Sequence, residues 1–123
     1  IQAALGISQL KRLDIFVKKR NKIAQKYLKN LNNVILPRQQ SSSSSSWHLF
    51  VVQVKNRDMV YQKLKSHGIM SQVHYIPINL QPFYKKNTLK NSYKYFQNCL
   101  SLPIYADLLN EEQMKIIDCL NND

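Results

Sequence analysis

The sequence predicts a small α+β domain in which helices pack on a small, mostly antiparallel sheet. Apolar residues recur every three or four positions near both ends of the chain, a spacing typical of helices buried on one face. Between them lie two short runs rich in aromatic and β-branched residues, which favour strands. A chain of 123 residues has room for one domain with a modest core.

The first 32 residues carry the strongest helical signal. The apolar side chains that follow the helical period are Ala4, Leu5, Leu10, Leu13, Phe16, Ile23, Ala24, Tyr27, Leu28 and Leu31. Asp14 can cap a second helix and bend the axis at that point. We therefore expect a long bent helix over residues 1–32. The serine-rich segment 38–46 then predicts a flexible loop.

Two strands are predicted in the middle of the chain. Residues 47–54 are rich in aromatic and β-branched side chains and indicate a strand buried on at least one face. Residues 69–75 indicate a second strand. Between the two strands, Asn56 or Asp58 can cap a short helix that ends at Gly68.

The second half of the chain is predicted to be a loop followed by two helices. Prolines make residues 77–88 a loop, because proline cannot donate a hydrogen bond to a sheet. Residues 90–100 predict a helix, and residues 102–104 predict a short extended segment. The residues expected to face inward from that helix are Tyr93, Phe96 and Leu100.

The last helix has the clearest start signal. We expect Asn110 to cap it and Gln113 to occupy the capping-box position. The side chains expected to face inward are Met114, Ile117 and Leu120.

Charge and cysteine content limit the classes of partner. The chain has 18 Lys and Arg against 7 Asp and Glu, a formal charge of +11, which favours anionic partners in general. Nucleic acid, a phosphorylated metabolite and an acidic membrane surface all satisfy that charge. Cys99 and Cys119 lack metal-ligand spacing, so we expect reduced thiols in a cytoplasmic protein. No apolar run approaches the roughly 20 residues that a membrane-spanning helix needs.

The chain offers few residues for catalysis. It contains none of the zinc-protease, serine-hydrolase or phosphate-loop motifs, and two glycines cannot form a glycine-rich phosphate loop. We therefore expect no catalytic residue and no metal ligand in this chain. His48 is interpreted as a half-exposed strand residue and His67 as the end of a helix.

His74 and Tyr75 differ, because they lie where a predicted strand meets a proline-rich loop. Strand alternation places Gln72 on the same face as His74 and Val73 on the other face. A nucleic-acid alternative rests on basic residues interleaved with aromatic ones. The residues that would carry it are Lys85, Lys86, Tyr93, Lys94 and Tyr95.

Several short motifs occur in a fixed order. They are QAALGISQL at 2–10, LDxF at 13–16 followed by Arg20, SWHLF at 46–50, GIxxQVHYxP at 68–77, LQPFY at 80–84 and LSLP at 100–103. This set resembles the C-terminal part of the DegT/DnrJ/EryC1/StrS family of sugar aminotransferases, which are PLP-dependent enzymes of fold type I. The QVHY form most resembles the transaminases of pseudaminic acid biosynthesis, which aminate a UDP-linked 4-keto-6-deoxy sugar. The segment 38–46, Arg-Gln-Gln followed by six serines, departs from the family pattern.

The resemblance implies a division of the chain and a site. Residues 1–32 would be the helical connection from a large PLP-binding domain, and residues 33–123 the small C-terminal domain. The Schiff-base lysine and the other residues that bind pyridoxal 5'-phosphate would lie upstream of Ile1, so the isolated chain would be inactive. Gln72, Val73, His74 and Tyr75 would form a substrate-binding wall.

The resemblance also implies partners. The intact enzyme would use a UDP-sugar, take the amino group from glutamate and be a homodimeric, cytoplasmic protein. Nucleic acid and membrane are not expected partners. Three alternatives stay open: a related sugar dehydratase, in which histidine replaces the Schiff-base lysine, a non-catalytic basic module that binds nucleic acid or another anion, and a truncated remnant without chemical activity.

Overall fold

The computed structural model describes residues 1–84 and 89–122, and within them it contains helices packed on a two-stranded antiparallel sheet. The elements in chain order are α1 (Gln2–Leu10), α2 (Leu13–Asn30), β1 (Phe50–Gln53), α3 (Arg57–Ser66), a 3-10 helix (Ile78–Leu80), α4 (Lys90–Asn98), β2 (Cys99–Leu102) and α5 (Asn110–Asn121). The predicted α+β class is confirmed. None of the helices in the described residues combines the length and apolarity needed to cross a bilayer.

The first 30 residues form two helices instead of the one long bent helix that was expected, with Lys11 and Arg12 between them. Asp14 does not cap α2 as expected, because Arg12 occupies the N-cap position and Asp14 lies in the first helical turn. An acidic side chain in that turn interacts favourably with the helix dipole without capping it. Every residue of α1 is exposed, whereas the second half of α2 buries Ile23, Ala24 and Tyr27.

The sheet is built differently from the prediction. Strand β1 covers only part of the predicted strand 47–54, and it pairs with β2 in antiparallel register, with Phe50 opposite Leu102. The predicted strand 69–75 is wrong, since that segment contributes a single bridge, from Gln72 to Ser101. A second bridge joins Ile35 to Gln53 on the outer side of β1.

Strand β2 replaces the end of a predicted helix. Helix α4 ends at Asn98, and Leu100 lies in β2 rather than in the helix, so the predicted span 90–100 is too long. All four side chains of β2 are buried. A short apolar run buried on both faces has no period of its own, and periodicity therefore cannot separate it from a buried helix end. Tyr93 is exposed and only Phe96 of the predicted inward residues within α4 is half-buried.

The core lies between the sheet and helices α2, α3 and α5. The ring of Phe50 is central, because its centroid lies 5.0 Å from that of Tyr27 and 5.4 Å from that of Trp47. The Tyr27 hydroxyl donates to the carbonyl oxygen of Pro103 at 2.9 Å. The other buried core residues include Leu31, Val52, Val54, Leu64, Ile69, Leu100, Leu102, Ile116, Ile117 and Leu120.

Helix α3 ends as the sequence predicts. Gly68 has φ 75, and its N–H bonds to the Lys65 carbonyl at 3.0 Å while the Ile69 N–H bonds to the Leu64 carbonyl at 2.9 Å. This pair of bonds is a Schellman motif, which needs a left-handed residue and so favours glycine. At the other end, Asn56 occupies the N-cap position, but its side chain makes no capping bond.

The N-cap of helix α5 lies one residue earlier than expected. Leu109, not Asn110, occupies the N-cap position, and the Glu112 carboxylate accepts a hydrogen bond from the Leu109 N–H at 3.0 Å. Gln113 is buried instead, and its amide donates to the Ile23 carbonyl oxygen on α2 at 2.8 Å. The cap shifts because Glu112 can fold back to a backbone N–H that has no intrahelical partner, whatever side chain stands at the cap. Of the three predicted inward side chains of α5, two are buried and Met114 is half-buried.

Candidate functional site

The segment that the sequence singles out runs along the free edge of β2. The Gln72 N–H donates to the Ser101 carbonyl oxygen at 3.1 Å, and the Ser101 N–H donates to the Gln72 carbonyl oxygen at 2.8 Å. Both bonds belong to one antiparallel bridge. Because β2 is paired with β1 on its other side, this bridge fixes the backbone of Gln72 to the core of the domain.

A side-chain contact adds to this anchor. The Nδ1 atom of His74 lies 2.9 Å from the Oγ atom of Ser101, so a single serine contacts two residues of the segment. The His74 ring is half-buried and lies edge-on to the ring of Tyr75, with 4.8 Å between centroids. The peptide bond between His74 and Tyr75 is cis.

The four predicted site residues differ in exposure. Val73 is half-buried and packs against the core, as alternation from Gln72 predicts. Gln72 is exposed, and Tyr75 exposes 74% of its surface. The strand alternation therefore ends at Tyr75, since the chain leaves the sheet there. The structure leaves Gln72 and Tyr75 exposed and His74 half-buried beside Tyr75.

The chain that follows this segment exposes an unusual amount of apolar surface. The Gln81 side chain donates to the Ile76 carbonyl oxygen at 3.2 Å and closes the loop around the 3-10 helix. The exposed apolar residues are Ile76, Ile78, Phe83 and Tyr84, with Phe83 exposing 91% of its surface. Grouped apolar side chains of this kind mark surfaces that contact another molecule or domain more often than isolated ones do.

Two surface cavities lie away from the segment. One, of about 1060 Å³, lies where β1, α3 and the C-terminal end of α5 meet, and three of its lining residues are Lys55, Lys63 and Lys94. The other, of about 700 Å³, lies between α3 and α5. Neither cavity is lined by residues 72–75. The candidate site is the anchored segment, because buried Ser101 holds both the backbone of Gln72 and the side chain of His74.

The lysines of the described residues lie at the surface of the domain or are half-buried. A Schiff-base lysine is typically held in an enclosed site, yet none of the lysines in residues 1–84 and 89–122 is buried. The two that are half-buried already have partners, Lys26 on Asn110 and Lys63 on the Asn122 carbonyl. Lys85 and Lys86, part of the nucleic-acid alternative, lie outside the described residues. The described part of the chain also holds no cluster of three potential metal ligands.

The other two histidines lie apart from the segment. His48 is exposed and precedes β1, so it is not the strand residue that was expected. His67 is the C-cap of α3, as expected, and its Nδ1 atom lies 2.8 Å from the Lys63 carbonyl oxygen. Both cysteines are free thiols and buried. Burial raises the pKa of the Cys99 thiol.

Sequence reasoning missed Ser101 as a site residue. Ser101 is 5% exposed and lies in the LSLP motif, 27 positions from His74 in sequence. Its role depends on the pairing of β2 with Gln72. A polar residue between two leucines of a buried run is the one local signal, because a buried hydroxyl needs a partner.

Comparison with known proteins relates the chain to one family. Residues 1–121 match the model of the DegT/DnrJ/EryC1/StrS aminotransferase family. A curated relative is the dTDP-3-amino-3,6-dideoxy-alpha-D-galactopyranose transaminase of Aneurinibacillus thermoaerophilus, 31% identical over 127 residues. That match covers 98% of this chain and 35% of the relative. The chain thus spans about a third of the length of this curated relative.

Solved structures give the same result. Helicobacter pylori PseC, an aminotransferase involved in the biosynthesis of pseudoaminic acid, superposes with a TM-score of 0.86 at 27% identity. The match covers 97% of this chain and 35% of PseC. Spr1654 of Streptococcus pneumoniae in its PLP-form superposes with a TM-score of 0.87 at 29% identity, covering 97% of this chain and 34% of that one.

Proposed function

Because the chain belongs to the DegT/DnrJ/EryC1/StrS aminotransferase family, we propose that it forms the C-terminal portion of a PLP-dependent nucleotide-sugar aminotransferase. The proposed reaction transfers an amino group from glutamate to a UDP-linked 4-keto-6-deoxy sugar, in surface-glycan or pseudaminic acid biosynthesis. Support comes from the curated transaminase of a dTDP-linked sugar, from the fold of PseC and from the QVHY sequence at 72–75.

The observation that carries the proposed site is the anchoring of residues 72–74 to β2. Substrate-positioning groups must be held in a fixed geometry, and side chains on a sheet edge are held better than side chains on a free loop. Gln72 and His74 satisfy that requirement through three bonds to Ser101. We propose that His74 and Tyr75 donate hydrogen bonds to oxygens of the sugar nucleotide, and that Gln72 donates or accepts through its amide. Val73 supports this wall from the core side.

The rest of the enzyme would contribute the cofactor. We propose that residues 1–32 connect to a large domain that holds PLP, and that residues 33–123 close over the site as the small domain of a homodimer. PLP, when bound, supplies an electron sink for the amino-group transfer. The part of this chain at 72–75 would bind and orient the sugar. The exposed apolar surface after Tyr75 is suited to contact with that other domain or subunit.

A titration of the 123-residue chain tests substrate binding directly. With ¹⁵N-labelled protein and millimolar UDP-N-acetylglucosamine as the probe, we expect NMR shift changes concentrated at Gln72, His74 and Tyr75. Uridine, which lacks the phosphates and the sugar, is expected to cause smaller changes. His74→Ala should weaken binding, while His67→Ala, at the far end of α3, serves as the matched control. Changes spread evenly over the basic surface, or none at all, would contradict the proposed site.

The corresponding test in the assembled enzyme is kinetic. We expect His74→Ala to raise the KM for the nucleotide sugar about tenfold, since a hydrogen bond to a charged group contributes about 1.5 kcal/mol. PLP absorbance should stay unchanged. Tyr75→Phe should act in the same direction, and Tyr93→Phe on exposed α4 is its matched control. Unaltered kinetics in both site variants would return His74 and Tyr75 to a structural role.

A further inference from the structure

We propose that Ser101 fixes His74 in the neutral tautomer that carries its proton on Nε2, so that His74 offers a hydrogen-bond donor to the ligand. Ser101 is then a positioning residue, and the site it supports selects a ligand with an acceptor oxygen at this point. The identity of that ligand as a nucleotide sugar rests on the function proposed above. The tautomer itself follows from contacts within the chain.

Ser101 contacts residues 72–74 through its backbone N–H, its backbone C=O and its hydroxyl. Its N–H and C=O groups bond to Gln72 at 2.8 and 3.1 Å, and its Oγ atom lies 2.9 Å from Nδ1 of His74. All three polar groups of Ser101 are therefore used within residues 72–74. The two backbone bonds fix the position of Ser101 beside the segment, and the third joins its hydroxyl to the imidazole.

The burial of Ser101 decides which group donates in the hydrogen bond between Ser101 and His74. Ser101 is buried, and among the described residues its hydroxyl bonds only to His74. If Nδ1 carried the proton and donated to Oγ, the serine O–H would be a buried donor without an acceptor. Leaving a buried donor unsatisfied disfavours that arrangement by roughly tenfold or more. Ser101 therefore donates, Nδ1 accepts, and the proton of neutral His74 is on Nε2.

The second ring nitrogen of His74, Nε2, is the atom that a ligand would contact. Within the described residues, the buried side-chain nitrogens and oxygens without a hydrogen bond are Trp47 Nε1, Ser71 Oγ and Arg57 Nε, the last of which forms an ion pair with Asp58. His74 is half-buried rather than enclosed, and its Nε2 atom makes no hydrogen bond to a described residue. The N–H group on Nε2 is therefore the donor that the anchored imidazole keeps for a ligand, next to the exposed Tyr75 whose ring lies edge-on to it.

His67 provides an internal contrast, because its proton is expected on the other ring nitrogen. Its Nδ1 atom lies 2.8 Å from the Lys63 carbonyl oxygen, and a carbonyl can only accept. The Ser66 hydroxyl, 3.3 Å from Nδ1, donates to the same carbonyl and so leaves Nδ1 as a donor. Neutral His67 therefore carries its proton on Nδ1. The same chain should show two histidines in opposite tautomers, with exposed His48 as a third, unanchored reference.

The test is a long-range ¹H–¹⁵N NMR measurement on the 123-residue chain at pH 8, where histidine with an ordinary pKa is neutral. Disappearance of one imidazole in His74→Ala assigns the His74 signals. We expect Nε2 of His74 to be protonated and Nδ1 to be unprotonated, with the reverse for His67. Protonated Nδ1 in His74, or a mixture like that of His48, would overturn the proposal.

Two variants distinguish the effect of the Ser101 hydroxyl from the effect of the strand pairing at position 101. In Ser101→Ala we expect the tautomer ratio of His74 to move toward that of His48 by about tenfold, from the loss of one buried hydrogen bond. Ser101→Thr keeps the hydroxyl and should restore the Nε2–H form. An unchanged ratio in Ser101→Ala would show that the serine does not set the tautomer. If Ser101→Ala does not fold, the wild-type tautomer and the threonine variant still decide.

The outcome is independent of the proposed function. A protonated Nε2 combined with no response to UDP-N-acetylglucosamine would refute the nucleotide-sugar site and leave the role of Ser101 intact. Binding of the sugar nucleotide to a protein whose His74 carries its proton on Nδ1 would refute this inference and leave the proposed function standing. Inorganic phosphate and uridine, titrated separately, show whether a phosphate oxygen is the acceptor.

Discussion

Individual side chains in this domain are held by hydrogen bonds to residues that are distant in sequence. Ser101 holds His74 and Gln72, and Tyr27 bonds to Pro103 across the core. In each pair the partners are distant in sequence, so no local motif names them. Burial then changes the chemistry of the side chain. It raises the pKa of Tyr27 above its ordinary value, with the charge of Tyr105 as a smaller cause.

Tyr27→Phe should make the domain less stable at neutral pH, by about 1 kcal/mol, because the Pro103 carbonyl loses its hydrogen bond. The raised pKa means that the folded state keeps the phenol proton longer than the unfolded state does. Above pH ~10 the unfolded chain releases this proton, so the wild-type protein loses stability with rising pH by up to about 1.4 kcal/mol per pH unit. The variant lacks that loss, and its deficit should shrink.

Urea unfolding followed by Trp47 fluorescence at pH 7 and at pH 10.5 measures both effects. Tyr93→Phe is the matched control, since Tyr93 is exposed on α4. A stability difference between wild type and Tyr27→Phe that stays constant across this pH range would refute the linkage.

At the scale of elements, the ends of helices decide the path of the chain into the sheet. Gly68 turns the chain at the end of α3 and delivers Ile69 to the core, from which the candidate segment starts. Buried Gln113 joins α5 to α2, and the Glu112 carboxylate fixes the start of α5. These contacts position the elements on both sides of β2 and hence the edge to which Gln72 is bonded.

Gly68→Ala should destabilise the domain by about 1 kcal/mol, because an L-residue is strained at φ 75. No atom lies within 4 Å of the added Cβ, so the cost is that of the backbone alone. Gly6→Ala is the matched control: it also meets no atom within 4 Å, and in α1 it improves helix propensity by about 1 kcal/mol. Urea unfolding compares the two, and equal stability of both variants would contradict the left-handed requirement at Gly68.

The whole molecule combines a small core with surfaces suited to contact another molecule. Every residue of α1 is exposed, including the large apolar side chains of Leu5, Ile7 and Leu10. The segment after Tyr75 is exposed in the same way. The chain spans about a third of its relative's length, 35% in the case of the Aneurinibacillus transaminase. These features agree with the proposal that the chain works together with a further domain.

The 123-residue chain should form no stable PLP imine, because none of its described lysines lies in an enclosed site. Mixing the chain with PLP and recording the visible spectrum, with borohydride trapping and peptide mapping, measures imine formation. An equal concentration of lysine amines from N-acetyl-lysine is the control for exposed side chains. A stoichiometric imine on one lysine, with turnover of a keto sugar, would show that the chain is a complete enzyme.

The sequence by itself determined the α+β class, the helical character of the N-terminal region, the end of α3 at Gly68 and the family, because each depends on local period, on backbone conformation or on ordered motifs. It also singled out Gln72 to Tyr75 as the candidate site, which stays a prediction. Only the tertiary structure decided that residues 99–102 form the central strand and that residues 69–75 do not form one. Strand pairing depends on partners far apart in sequence, and a four-residue strand buried on both faces leaves no periodic signal. The role of Ser101 follows from that pairing, and so it too was decided by the fold.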